Sequence, residues 1–354
     1  MGCGPTEVLV GDAPGVARVV AGVLAVPYEL TFPDSAPGGD ALTVPLGLPS
    51  GVAAFDDGSF YVADAARRRV GLVSPDGQIT WPIGRGPCFT PGPGGLDPTL
   101  LCLVAPAGVA ATADGIVYVT DAGAHRVYRV DLGSAQLSVA LGTGTAGMAA
   151  EGAVAALAPT DAPVDVALGP DGAAYVVERR NNRVVRLDPG GTVATFVGSG
   201  AAGDSGDGGS ARAARLRLPA AIAWLGDTLY VADAGNHRVR RVVDDVISAY
   251  AGIGAAGYAG DRGPAAAALF RDPGHLAAVP GLLFVADRGN NRIRIIRLGP
   301  DSIDTFGGTG VPASGPDLLV IGETAVAGPA GLAAAGRAVF VGDSGGYVVR
   351  RVVR

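Results

Sequence analysis

The chain contains, at residues 229–238, the stretch Leu229-Tyr230-Val231-Ala232-Asp233-Ala234-Gly235-Asn236-His237-Arg238, an apolar run that ends in an acid and a turn. Similar stretches occur six times, each preceded by a proline, a small residue and another apolar run. The six prolines are Pro49, Pro106, Pro163, Pro219, Pro273 and Pro329, and the six acids are Asp64, Asp121, Glu178, Asp233, Asp287 and Asp343. Successive prolines are 54 to 57 residues apart. This regular spacing predicts one domain of six equivalent units.

Within a unit, short apolar runs are separated by turns such as Asp56-Asp57-Gly58 and Pro170-Asp171-Gly172. Asp and Gly tolerate the backbone angles of tight reversals, so each unit offers four short antiparallel strands. Sheets that are apolar on both faces must pack against neighbours on both sides, and a ring achieves this. We therefore predict an all-β fold, a six-bladed β-propeller with four-stranded antiparallel blades.

The last unit has only three strands, because its third strand, Tyr347 to Val353, is followed by a single residue. The N-terminal run Val16-Ala17-Arg18-Val19-Val20-Ala21-Gly22 resembles the fourth strands of other units, such as Ile247-Ser248-Ala249-Tyr250-Ala251-Gly252. Pairing the two chain ends in one blade would remove an exposed sheet edge. We predict that the N-terminal strand completes the last blade.

The stretch at 229–238, continued by Val239-Arg240-Arg241, resembles the NHL repeat signature, as does Leu283-Phe284-Val285-Ala286-Asp287-Arg288-Gly289-Asn290-Asn291-Arg292-Ile293. The resemblance covers residues 16–354 and leaves 1–15 as an N-terminal tail. It implies a six-bladed propeller that binds ligands on the face carrying the second-to-third-strand loops and the blade-to-blade loops. It implies no single function, since relatives bind RNA, proteins or sugars, sense ligands, or catalyse amidation, lysis or hydrolysis.

The net charge of −6 and a pI near 5.1 argue against a nucleic-acid partner, because such binding draws on clustered positive charge. All 27 basic residues are arginine, which together with the Ala and Gly content suggests a GC-rich, bacterial source. Arg67, Arg68, Arg69, Arg179 and Arg180 form local basic spots on two turns, which are either solvated surface or a place for acidic groups to dock.

The three cysteines suggest a compartment. Cys88 and Cys102 lie in a Gly/Pro-rich insertion that a disulfide would order, although two free thiols are the alternative. Cys3, in Met1-Gly2-Cys3-Gly4, looks like the start of a mature bacterial lipoprotein; a terminus without function and an acylated eukaryotic one are the alternatives. We expect an extracytoplasmic protein whose membrane contact is at most a lipid anchor at Cys3.

Two further patterns recur once per unit. An arginine follows the second-strand acid by five residues at Arg69, Arg126, Arg183, Arg238 and Arg292, and we predict a pairing with that acid or with a neighbouring blade. In the sixth unit Val348 replaces it, which predicts that Asp343 lacks this partner. His125 and His237 stand where other units have Asn182 and Asn291, which indicates a role in the turn.

An acid also stands twelve residues before four of the prolines, at Glu151, Asp207, Asp261 and Asp317. We predict that these acids cap helical turns, with an acidic, ligand-binding rim as the alternative. Within such a rim Asp204, beside Asp207, is the candidate Ca²⁺ contact.

The residues two positions after the prolines, here called position-two residues, are predicted at the channel mouth: Gly51, Gly108, Asp165, Ala221, His275 and Gly331. The small ones should leave open space around the axis, and Asp165 and His275 should project into it. They are candidates for ligand contact, for an acid/base pair or for two metal ligands, with a solvated channel pair as the simpler alternative. Family enzymes with a catalytic metal present several histidines there, so we predict no cofactor; Zn²⁺ at His275 or Ca²⁺ at Asp204 and Asp207 is a weak alternative.

These observations favour a monomeric binding scaffold that recognises a protein, peptide or carbohydrate on its loop-rich face. The alternative is a lyase or hydrolase whose active site lies at the channel mouth, around Asp165 and His275.

Overall fold

The computed structural model describes residues 17–23, 38–86, 97–313 and 323–353. In these ranges the chain forms six antiparallel sheets, which confirms the predicted all-β, six-bladed propeller. We call the sheets blades 1 to 6 in order of their innermost strands.

Each of the first three blades runs from an inner strand at the axis to an outer strand at the rim. Blade 1 comprises β3 (Pro49–Ala54), β4 (Phe60–Asp64), β5 (Arg69–Val73) and β6 (Gln78–Ile83), with the short β2 (Gly39–Asp40) on its rim. Blade 2 comprises β7 (Pro106–Ala111), β8 (Ile116–Asp121), β9 (Arg126–Asp131) and β10 (Gln136–Leu141). Blade 3 comprises β11 (Pro163–Leu168), β12 (Ala174–Glu178), β13 (Arg183–Leu187) and β14 (Val193–Val197).

The remaining blades repeat this order. Blade 4 comprises β15 (Ala221–Leu225), β16 (Thr228–Asp233), β17 (Arg238–Val243) and β18 (Val246–Ala251). Blade 5 comprises β20 (Pro273–Val279), β21 (Leu282–Asp287), β22 (Arg292–Arg297) and β23 (Ser302–Gly307), with β19 (Gly263–Pro264) on its rim. Blade 6 comprises β24 (Pro329–Ala335), β25 (Ala338–Asp343), β26 (Val348–Val353) and β1 (Ala17–Gly22).

Helical structure in the described ranges is limited to short 3₁₀ turns. They span Pro98–Leu100, Ala155–Leu157, Ala211–Ala213, Ala234–Asn236, Ala265–Ala267 and Arg288–Asn290. No helix in this part of the chain is long and apolar enough to cross a membrane.

The predicted closure is confirmed, because β1 pairs antiparallel with β26 from Ala17 opposite Val352 to Gly22 opposite Val348. The register of β1 shifts between Val19 and Ala21, and a shift also occurs between the third and fourth strands of the other five blades. The N-terminal strand therefore has the geometry of an ordinary fourth strand.

Apolar clusters fill the spaces between successive blades. At the closing junction, Phe340 of blade 6 packs against Phe60 of blade 1 with ring centroids 5.1 Å apart, and Val62 and Val349 lie buried around them. At the junction of blades 4 and 5, Tyr230, Phe270 and Leu283 share another buried cluster. Burial of both faces of every sheet stabilises the ring without a single central core.

Candidate functional site

The second-strand acids hold the loops that enter their own blades. Asp64 accepts hydrogen bonds from the backbone N–H groups of Gly47 (2.7 Å) and Leu48 (2.9 Å). Asp121 accepts from Val104 and Ala105, both at 2.8 Å. Asp233, Asp287 and Asp343 each accept from one equivalent amide, on Arg217, Arg271 and Ala327. These buried carboxylates fix the loop-rich face to the sheets.

The predicted pairing of these acids with the arginine five residues later forms between Glu178 and Arg183, at 2.5 Å. In blades 4 to 6 the acid instead pairs with the arginine seven residues later: Arg240 and Arg294 at 3.5 Å, and Arg350 at 3.2 Å. Asp343 thus lacks the arginine at the five-residue position, as predicted from Val348, but it has another partner in Arg350. Arg350 points inward from the neighbouring strand and reaches it.

These three arginines are completely buried, and the sequence analysis missed them. Their recurrence in the sequence could have revealed them, since an arginine stands seven residues after the acid in three successive blades. The arginines at the five-residue position hold the blade-end turns. Arg69, Arg126 and Arg292 donate to the carbonyls of Arg85, Thr143 and Thr309 at 2.7–2.8 Å.

The prediction that the acids twelve residues before the prolines cap the helical turns is wrong for Glu151, Asp207 and Asp261, because the 3₁₀ turns that follow them have no side-chain cap. Asp207 pairs with the buried Arg240, and Asp261 with the buried Arg294, each at 2.7 Å. Glu151 pairs with Arg212 at 2.6 Å and accepts from the Thr195 N–H. Asp207 and Asp261 thus meet an arginine that is buried in the next blade, and Glu151 meets an exposed one.

The remaining rim candidates are Asp204 and Asp317. Asp204 lies 3.1 Å from Arg238, so arginines meet the charges of both Ca²⁺ candidates, Asp204 and Asp207. In the described ranges no group of three or more His, Cys, Asp or Glu side chains is placed to hold a metal ion. Asp317 lies outside the described residues, and a ligand role for this rim stays a prediction.

His125 and His237 act in the turns, as predicted. Both adopt the left-handed conformation, with φ of 50° and 53°, and Asn182 and Asn291 adopt it at the equivalent places. The Nδ1 of each histidine accepts a hydrogen bond from the residue before the next blade's proline, Ala162 at 3.4 Å and Asp272 at 3.3 Å. The Oδ1 atoms of the two asparagines accept the same bond, which explains why His and Asn interchange.

A cavity of about 320 Å³ runs along the axis, and inner-strand residues of all six blades line it. Its walls are Gly, Ala, Val, Leu and Ile, except for two ionisable side chains, Asp165 and His275. Blade 4 separates the blades that carry these two residues. The structure thus brings the two predicted channel residues to one cavity.

The glycines at position two also allow close backbone approach between neighbouring inner strands. A Cβ on Gly51 would lie 2.4 Å from the carbonyl oxygen of Ala107, and one on Gly108 would lie 2.7 Å from the Cα of Asp165. A Cβ on Gly331 would lie 2.8 Å from the oxygen of Ser50. The inner strands of blades 6 and 1, of blades 1 and 2, and of blades 2 and 3 therefore contact each other at the place that a Cβ atom would occupy.

Asp165 is only 7% exposed, and its Oδ2 accepts a hydrogen bond from the Ile222 N–H at 2.9 Å. It therefore links the inner strands of blades 3 and 4 more than it projects into the mouth. Burial raises the pKa of Asp165 to about 7, although the hydrogen bond from Ile222 lowers it. At neutral pH this carboxyl group is partly protonated, so it can donate a hydrogen bond in its protonated form and only accept hydrogen bonds in its ionised form.

His275 lies in the third position of β20 and is partly accessible through the channel. Protein atoms nevertheless surround it, and this desolvation, helped by the positive charge of Arg288, lowers the pKa of His275 to about 4. The imidazole is therefore neutral at pH 7, with one donor and one acceptor available in the cavity.

Of the three cysteines, Cys102 is buried and disulfide-bonded. Cys88 and Cys3 lie outside the described residues, so the Cys88–Cys102 pairing and the lipoprotein start stay predictions.

No family model matches the chain. It is 27% identical over 292 residues to human NHL repeat-containing protein 2, covering 70% of this chain and 38% of that protein's length. It is thus similar to a part of a longer relative.

Solved propellers share the fold at low identity. An auxiliary nutrient binding protein from Bacteroides thetaiotaomicron VPI-5482 is 14% identical, with a TM-score of 0.66 over 95% of this chain and 75% of that one. A gluconolactonase from Xanthomonas campestris is 13% identical, with a TM-score of 0.57 over 100% and 98%. Virginiamycin B lyase from Staphylococcus aureus is 16% identical, with a TM-score of 0.52 over 87% and 95%. Together with the closed ring of six repeated sheets, these similarities support an NHL-repeat β-propeller.

Proposed function

We propose that the protein is a binding scaffold that works outside the cytoplasm and recognises a protein, peptide or carbohydrate on its loop-rich face. One group of the ligand enters the axial cavity. The observation that carries this proposal is the cavity itself, which opens along the axis and holds His275, a neutral side chain with no hydrogen bond to any described residue.

The other charged groups described above already have partners within the protein, which leaves the cavity as the candidate ligand site. The second-strand acids, the buried arginines and the described rim acids are held in ion pairs or in hydrogen bonds to loop amides. Ligand sites are usually concave pockets in which a few polar groups fix the ligand, and about 320 Å³ lies at the lower end of their size range. The cavity suits one sugar ring or one side chain.

The location outside the cytoplasm rests on the predicted lipoprotein start at Cys3 and the predicted disulfide. Similar folds in auxiliary nutrient binding proteins of two Bacteroides species are consistent with a binding function. A monomer is proposed, since each blade already covers its neighbours.

The test is to screen the purified protein against glycan and peptide arrays, and to measure each hit by titration calorimetry with the wild type and with His275→Ala. We expect the variant to weaken binding about tenfold or more, because it removes a buried hydrogen-bonding group. His237→Asn is the matched control, since asparagine stands at that turn position in other blades. Hits that bind His275→Ala as tightly as the wild type, or an array without hits, would contradict the proposal.

The second candidate is a lyase or hydrolase at the channel mouth. It is favoured by the opposite pKa shifts of Asp165 and His275, which leave a neutral base and a partly protonated acid in one cavity at pH 7. Gluconolactonase and virginiamycin B lyase have similar folds, and a histidine-to-alanine variant of that lyase, solved with quinupristin, is catalytically inactive. Turnover of lactones or esters that disappears in His275→Ala would favour this candidate over simple binding.

A further inference from the structure

Two arginines from different blades meet at one carboxylate. Arg288 donates to Oδ2 of Asp272 through Nε at 3.0 Å and also through Nη2. The Nη2 atom of Arg179 lies 3.8 Å from the other oxygen, Oδ1. We call Arg179, Asp272 and Arg288 the arginine bridge.

The arginine bridge lies across the channel mouth. Arg179 and Arg288 directly follow the second-strand acids Glu178 and Asp287, which stand opposite the first residues of the inner strands of blades 3 and 5. Blade 4 lies between these two blades, so the contact from Arg179 to Asp272 must pass over the inner end of blade 4. The arginine bridge therefore lies beyond the end of the inner strands at which Asp165 and His275 stand, and Arg288 is close enough to lower the pKa of His275.

The arginine bridge has an excess of positive charge. Arg288 donates to Asp272 through two nitrogens, whereas Arg179 reaches the same carboxylate only at 3.8 Å, although its side chain is only 24% exposed. Burial lowers the pKa of Arg179, and the neighbouring Arg288 lowers it further, while Asp272 opposes the shift. A second anion beside Asp272 would relieve this like-charge repulsion and give the guanidinium of Arg179 a closer partner.

The cavity below supplies the rest of a site. Asp165 lies two residues beyond the start of β11, on the blade of Arg179, and His275 lies in the same position of β20, on the blade of Arg288. They are the two ionisable side chains among the residues that line the channel. A ligand that enters from this end passes the two guanidiniums first and reaches Asp165 and His275 next.

We propose that the arginine bridge binds a carboxylate group of the ligand while the body of the ligand occupies the axial cavity. This inference rests on the proposed function of the cavity as a ligand site and specifies the chemistry of that ligand. Guanidinium groups bind carboxylates through two parallel hydrogen bonds, a geometry that a neutral hydroxyl or amide cannot reproduce. The carboxylate belongs either to a sugar acid or to the C-terminus of a short peptide.

The test measures binding of four compounds by titration calorimetry. One arm compares D-glucuronate with D-glucose, and the other compares N-acetyl-dialanine with its C-terminal amide. In the arm that corresponds to the natural ligand class, the acid should bind about tenfold or more tightly than its neutral partner. Acids and neutral partners that bind alike in both arms, or acids that do not bind in either, would overturn the inference.

Variants assign the preference to the arginine bridge. Arg179→Gln should abolish the preference for the acid, and Arg179→Lys should retain part of it, because lysine keeps the charge and loses the planar fork. Arg297→Gln, an exposed arginine at the far end of β22, should behave as wild type. If Arg179→Gln keeps the preference, the inference is wrong. If neutral compounds bind in a His275-dependent way without any acid preference, only this inference fails and the proposed function stands.

Discussion

Blades 1 and 2 differ from blades 3 to 5 where the inner strands begin. In blades 1 and 2 the position-two residue is glycine and packs against the next backbone, whereas blades 3 to 5 carry Asp165, Ala221 and His275 there. The residues before the prolines of blades 3 to 5 are left-handed and are held by a His or Asn of the preceding blade; Leu48 and Ala105, before the prolines of blades 1 and 2, are not left-handed.

This difference shows that different blades of one ring serve different purposes: some pack tightly against each other at the axis, and others carry the polar side chains of the cavity. Tight backbone contact at blades 1 and 2 leaves no room for a side chain at the axis. At blade 3 the side chain of Asp165 joins the next inner strand through the hydrogen bond from Ile222, and both Asp165 and His275 line the cavity. The polar site therefore lies on the side of the channel where the blades are joined by side chains.

The largest expected effect is a loss of stability at a glycine that contacts the backbone of the next blade. Gly51→Ala should lower the free energy of unfolding by about 3 kcal/mol, because the added Cβ would meet backbone atoms, which move less readily than side chains. Urea denaturation measures this loss. Gly39→Ala, in a strand where nothing lies within 4 Å of the new Cβ, is the control and should change little. Equal stability of the two variants would contradict the close approach at blades 1 and 2.

The next effect concerns the buried acid of blade 3. The folded-state pKa of about 7 exceeds the ordinary value of 3.8, so the folded protein binds this proton more tightly than the unfolded chain does. The contribution of Asp165 to the free energy of unfolding therefore falls as the pH rises from about 4 to 7. Asp165→Asn cannot ionise and keeps an acceptor for Ile222, so it should be about 2 kcal/mol more stable than the wild type at pH 8.

Thermal unfolding of Asp165→Asn and wild type between pH 4 and pH 8 measures this gain. The gain should shrink as the pH falls and vanish near pH 4. A gain that is the same at both ends of the range would show that ionisation of Asp165 does not cause it.

The smallest expected effect is at a turn that joins two blades. His237→Leu removes the acceptor for the Asp272 N–H and should cost about 1 kcal/mol, while His237→Asn should cost nearly nothing. Thermal melts of both variants give the comparison. If leucine were tolerated as well as asparagine, the hydrogen bond between blades 4 and 5 would contribute nothing to stability.

The repeat, the strand boundaries and the closure were predictable because they depend on local signals. Apolar runs and Asp/Gly turns mark the strands, and a missing fourth strand with a matching N-terminal run marks the closure. The site was predictable only in part. Position two identified Asp165 and His275, but the spacing of Arg179 and Arg288 along the chain did not show that they meet at Asp272.

The ion pairs show the same limit. The arginine five residues after each acid stands opposite it in the sheet, as between Asp233 and Arg238, so the sequence pattern favoured that pair. The arginine that pairs with Asp233 is instead Arg240, two residues further along the strand and completely buried.

The sequence by itself determined six four-stranded units, their order and the joining of the two chain ends in one blade, since backbone propensity and periodicity are properties of neighbouring residues. Only the tertiary structure decided which blades touch through glycine, which arginines are buried beside which acids, and which charges meet over the channel. Those outcomes depend on distances between strands of different blades, and the spacing of residues along the chain does not contain them.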